Sequence, residues 1–164
     1  MTEELAAAPE LKLSLRRSAM NALGRREQSV FELKQKLSQR YKDASEEEIT
    51  AVIQRLTNQG LQSDERFSEM FVRSCINKGK GPNLIRRELE QQNLPPEMLE
   101  QAFSLNPCNW QQSALHQLQK KYSVGDMQEF ALRAKATQFL YRRGFDSDTC
   151  SRAVEALKTQ TQGT

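Results

Sequence analysis

The sequence predicts an all-α protein: three tandem three-helix repeats forming an elongated, curved array. Two local observations carry the helical part of that expectation. Apolar residues recur at helical spacing from end to end with no strand-like alternation, and segments open on capping residues and close on glycine or asparagine. A third observation carries the repeat. Leu15, Phe67 and Leu118 are separated by 52 and then 51 residues. The same steps relate Ala19, Phe71 and Tyr122; Leu33, Ile85 and Ala136; and Leu37, Leu89 and Leu140. Tyr41, Asn93 and Gly144 fall in register too, at the turn after the second helix of each unit. The boundaries read as a flexible tail over 1–10, repeats over 11–60, 61–105 and 106–159, and a closing tail over 160–164.

Each element has its own signal. Leu15, Ala19, Ala22 and Leu23 line one face of a first helix, which Gly24 is expected to end. Ser29 with Glu32 forms a capping box ahead of Leu33 and Leu37, and Ser45 with Glu48 forms another ahead of Ile49, Val52, Ile53 and Leu56. Gly60 supplies the left-handed residue that closes the third helix. Ser63 or Asp64 caps the fourth, with Phe67, Met70, Phe71, Ser74 and Cys75 inward. Gly81 and Pro82 read as N-cap and first position of the fifth, with Leu84, Ile85 and Leu89 inward and Asn93 as its stop. Pro95 and Pro96 open the sixth over Met98, Leu99, Ala102 and Phe103. Asn106-Pro107 repeats the cap-then-proline signal ahead of Trp110, Ala114, Leu118 and Tyr122. Asp126 with Glu129 is expected to cap the eighth helix, which ends at Gly144, and Asp146 opens the ninth through Cys150, Ala153, Val154 and Leu157.

Composition bounds the function. Of 164 residues, 37% are hydrophobic and 27% charged, which suits a thin core with much surface. The formal net charge is only +3, so a cationic surface must come from clustering. The opening Met1-Thr2-Glu3-Glu4 has neither a basic region nor an apolar one, against a signal peptide. No apolar run approaches the length of a membrane span. Cys75, Cys108 and Cys150 lie far apart without metal-ligand spacing, and reduced thiols in a cytoplasmic protein are expected.

No catalytic constellation is present in the pattern. His116 is the single histidine and sits in a polar run without convergent partners, as a surface residue would. The Gly79-Lys80-Gly81-Pro82 bend lacks the spacing of a phosphate loop. Glu46, Glu47 and Glu48 occupy a helix first turn, where they complement the macrodipole. A non-enzymatic binding protein is the expectation. The segment from Met70 through Arg87 contains no acidic residue but carries Arg73, Lys78, Lys80, Arg86 and Arg87. A glycine bend flanked by cations suits an anionic surface, either phosphate backbone or an acidic protein groove. Arg142 and Arg143 border a second glycine turn and join that candidate set. No aromatic is interleaved with the central cations at base-stacking spacing.

The central stretch resembles the signature of the RecX family. It reads Gly60-Leu61-x-x-Asp64-x-Arg66-Phe67, then Lys78-Gly79-x-Gly81-Pro82-x-x-Ile85-Arg86-x-Glu88-Leu89. The likeness runs from about Ala19 to Ala156 and includes Phe139-Leu140-Tyr141-Arg142-Arg143-Gly144-Phe145. It departs at Leu84, Lys80, Gln62 and Ser63. The resemblance implies three three-helix repeats and no cofactor. It further implies a regulator of the recombinase RecA, usually an inhibitor, lying along the groove of the RecA–DNA filament, while the repeat period itself suits a monomer. Two other readings compete: a helical module that binds single- or double-stranded nucleic acid directly, and a helix-turn-helix transcription factor, which the lack of a dimerisation segment disfavours.

Overall fold

The computed structural model describes the backbone of residues 2–160 and the side chains of residues 9–160. Nine α-helices and no strand occur among the described residues. They are α1 (Thr2–Arg25), α2 (Val30–Arg40), α3 (Glu46–Asn58), α4 (Asp64–Asn77), α5 (Pro82–Glu90), α6 (Pro96–Leu105), α7 (Trp110–Lys121), α8 (Phe130–Arg142) and α9 (Ser147–Thr159). A single 3-10 turn, Asp126–Gln128, precedes α8.

The helices group in threes, and each group closes on its own core. Leu15, Ala19, Leu33, Leu37, Ile49, Val52, Ile53 and Leu56 form the first. Phe67, Val72, Cys75, Ile85, Leu89, Leu99 and Ala102 form the second. Ala114, Leu118, Met127, Ala136, Leu140, Phe145, Cys150, Ala153, Val154 and Leu157 form the third. Ten of the twelve residues in the four periodic sets are buried; Phe71 and Tyr122 are half-buried beside their cores. The repeat is thus a physical unit, with one small core per unit. The accessible surface is 10498 Å², against about 8,300 Å² for a compact globule of this mass. Among the described residues no hydrogen bond or ion pair joins the first repeat to the third. The repeats therefore follow one another in series, and the array is elongated.

The two joints between repeats differ in chemistry. Between the first and second repeats the seal is polar. Gln28, Ser29 and Gln62 are all buried. The Gln62 amide donates to the Gln28 carbonyl at 3.1 Å, Ser29 donates to Gln92 Oε1 at 2.6 Å, and Asp64 accepts from the Val30 amide at 2.9 Å. Arg66 pairs with Glu27 at 3.0 Å across the same seam. Between the second and third repeats, backbone meets backbone. The Gly81 amide donates to the Arg143 carbonyl at 2.7 Å and the Asn83 amide to the Gly144 carbonyl at 2.9 Å. A β-carbon on Gly81 would lie 2.4 Å from the Gly144 carbonyl carbon, and one on Gly144 2.4 Å from Leu84 Cβ. Both positions must be glycine for the chains to approach this closely. Trp110 borders the second and third cores together.

Several local expectations are corrected. The first ten residues, expected as a tail, belong to α1 from Thr2 onward; in the closing tail, residues 161–164 lie outside the described residues. Gly24 does not stop α1, which runs on to Arg25; positive φ is confined to Gly60, Gly79, Gly144 and Asn93 among the described residues. Tyr41 therefore ends its helix without a left-handed residue, unlike Asn93 and Gly144. The Ser45–Glu48 capping box forms in full, but at Ser29 only half forms. There the serine caps Glu32, whose carboxylate turns to Arg26 at 2.9 Å instead. The inner stripe of α4 is rotated to Phe67, Ser68, Val72 and Cys75. Helix α7 starts at Trp110, capped by Asn109; Asn106 instead donates to the carbonyls of Ala102 and Glu69. Asp126 exchanges hydrogen bonds with Ser123 and does not cap α8.

Candidate functional site

The bend at Lys78–Pro82 is half of the second joint. Helix α4 ends at Asn77, Gly79 reverses the chain with φ +82°, and Gly81 caps α5. The α8–α9 turn packs onto this bend. Arg143 donates to the carbonyls of Lys78 at 2.6 Å and Gly79 at 3.3 Å. Those carbonyls cap the end of α4, where a cation is favoured by the helix dipole. Two of the sequence-predicted cations, Lys78 and Arg143, are thereby brought together from separate repeats.

Phe139 sits at the centre of the same surface. The Lys121 ammonium lies 4.4 Å from its ring centroid and the Arg143 guanidinium 5.9 Å. Tyr122 meets the ring edge-on at 6.4 Å. Each cation gains from the ring face, so two like charges are tolerated side by side. Sequence reasoning passed over Lys121 and Phe139, because the ring reaches the central cations only through the fold. The acid-free run Phe130–Phe145 was the available signal.

The remaining candidates divide. Lys80 is tied to both oxygens of Glu88 at 2.9 Å, beside the buried Cys75. Burial raises that thiol above its ordinary range, with the Lys80 charge opposing. Arg73 pairs with Glu69 one turn back at 3.5 Å. Arg86 is half-buried; its guanidinium stacks over Phe103 at 4.4 Å and pairs with Glu100, whose carboxyl it holds below the usual range. Arg86, a candidate in the sequence, is thus engaged within its own repeat. Arg87 and Arg142 are exposed, and among the described residues no carboxylate lies within ion-pair distance of either, or of Lys78 or Lys121. The open cations around the second joint are therefore Lys78, Lys121 and Arg142, with Arg87 on α5, and Arg143 adds a half-buried charge held on the α4 carbonyls. His116 is exposed on α7, along a groove of about 600 Å³ with Cys108 and Ile76.

The order of these repeats matches known proteins. The family model described as RecX, first three-helix domain, matches residues 16–56; that of the second matches 63–102 and that of the third 110–154. The regulatory protein RecX of Pseudomonas putida (strain GB-1) is 36% identical over 150 residues, covering 92% of this chain and 95% of that protein. The chain belongs to the RecX family. Regulatory protein RecX of Legionella pneumophila (strain Corby) is 34% identical over 142 residues, 87% of this chain and 93% of its own length. The crystal structure of RecX from Lactobacillus salivarius superposes with a TM-score of 0.73 over 92% of this chain and 98% of that one. At 22% identity it shows the shared RecX fold. Within that family pattern, Leu84 and Gln62, which stood out in the sequence as departures, have structural work here. Leu84 packs on Gly144 and Gln62 fills the polar seam.

Proposed function

We propose that this chain is a regulatory protein of the recombinase RecA. It acts as a monomer in the cytoplasm, lies along the RecA–DNA filament and restrains ATP hydrolysis and strand exchange. The observation that supports this reading is the cationic surface held across the second joint. Lys78, Lys121, Arg142 and Arg143 are contributed by two repeats whose backbones are hydrogen-bonded to each other. Their charges keep fixed spacing along an elongated array, as binding to a repeating anionic groove requires. An elongated body then spans neighbouring protomers and occupies the groove through which a second strand must pass.

The test is RecA ATP hydrolysis on single-stranded DNA with and without the protein. Inhibition is expected, and the double reversal Lys78→Glu/Arg142→Glu is expected to weaken it by roughly tenfold, since both side chains are exposed rim charges. Melting of the variant should match the parent. A wild-type chain that leaves hydrolysis unchanged at saturating concentration would sink the proposal.

A further inference from the structure

Helix α8 carries an exposed face outside the third core. Phe130 is 78% exposed and Tyr141 61%, the most exposed aromatic side chains among the large hydrophobics at the surface. Placed at 100° per residue, the two rings fall within ~20° of each other around the helix and ~16 Å apart along it. Lys135 and Arg142, both exposed, form a second row ~100–140° around from the first. Between the rows lie the exposed Ala131, Ala134 and Gln138, short or uncharged side chains that leave both rows open. The helix has no acidic residue; Glu129 precedes it and the next carboxylate is Asp146. On the aromatic side, Arg133 reaches over the Phe130 ring at 5.8 Å and donates to the Met127 carbonyl at 2.8 Å, which anchors it there.

We infer that the outer face of α8 is a binding site for single-stranded DNA, with bases stacked on Phe130 and Tyr141 and phosphates met by Lys135 and Arg142. Exposed rings beside a row of cations match a polyanion whose unpaired units present flat apolar faces. A duplex hides those faces, and an acidic polypeptide lacks them. The choice of DNA over RNA rests on the regulatory reading above; the stacking face does not. This site shares Arg142 with the cationic surface at the second joint but not the Phe139 ring, which is half-buried beside Lys121 and Arg143.

The test measures binding of the full chain to a fluorescent oligothymidylate by anisotropy, without recombinase present. An abasic strand of equal length and charge, a duplex, and polyglutamate as competitor complete the set. The thymidylate should bind at least ~10-fold more tightly than the abasic strand, as loss of two stacked bases implies. Phe130→Ala/Tyr141→Ala should remove that preference, with circular dichroism unchanged because both rings are exposed. Lys135→Glu, which leaves the second-joint cations in place, should weaken both strands and lower the salt slope by ~0.7 for its lost phosphate contact. Equal binding of thymidylate and abasic strands, or of single strand and duplex, would overturn the inference. So would a folded aromatic double variant with unchanged preference, or displacement by polyglutamate as effective as by the strand itself. Since the strand is naked, failure here leaves the regulatory reading intact, and failure to inhibit RecA leaves this site intact.

Discussion

Gly81 and Gly144 have no room for a β-carbon, whereas Gly24 has open space around it. The three therefore respond differently to one methyl group. Gly81→Ala and Gly144→Ala should each destabilise by about 1–3 kcal/mol, the latter also because its φ is +100°. Gly24→Ala should stabilise by about 0.5 kcal/mol, as a helical residue freed of glycine's entropy. Urea denaturation of the three variants checks the ranking. Cys150 gives a pH prediction. Burial pushes its thiol up to about 11 from an ordinary 9.0. The unfolded chain then releases this proton first, so the contribution is full below pH 9.0 and is lost as pH rises toward about 11. The urea midpoint should fall across that interval, and the fall should be shallower in Cys150→Ala.

At the scale of the helix, inner faces were legible because their signal is periodic. Leu89 is fully buried and His116 exposed, as their positions in the stripe pattern predict. Leu89→Ala should cost about 2–5 kcal/mol and His116→Ala less than about 0.5. Chemical denaturation giving the reverse order would contradict the inner faces. Helix ends were less legible, since more than one residue can serve each. Asn106 and Asn109 both suit an N-cap, and the choice fell to Asn109 because Asn106 is taken by carbonyls of α4 and α6. Glu32 left its box for Arg26, a partner no local rule selects. The stripe of α4 turned toward Val72 because Ser68 bonds the Asp64 carbonyl and adds little bulk to that buried face.

For the whole molecule the repeat period disclosed the architecture, while the site stayed hidden. Counting cations along the chain overweighted Lys80, Arg73 and Arg86, whose partners Glu88, Glu69 and Glu100 neutralise them. It underweighted Lys121, which the packing of α7 against α8 brings onto the Phe139 ring beside Arg143. The elongated shape itself is measurable. A compact domain of this length has a radius of gyration of about 15 Å, and small-angle scattering of the monomer should exceed it clearly. A value at the compact figure would refute the elongated array.

The polar seam between the first two repeats has a mechanical consequence. Its amides and hydroxyls can trade each other for water at little enthalpic loss when the seam opens. The other joint would have to break main-chain hydrogen bonds and pull apart the two cores that Trp110 borders. Compliance is therefore concentrated at a single point. On that contrast the last two repeats should hold their registry while the first tilts on a hinge of glutamines. On a track of uneven pitch, that pair would set the alignment and the first repeat would absorb the mismatch.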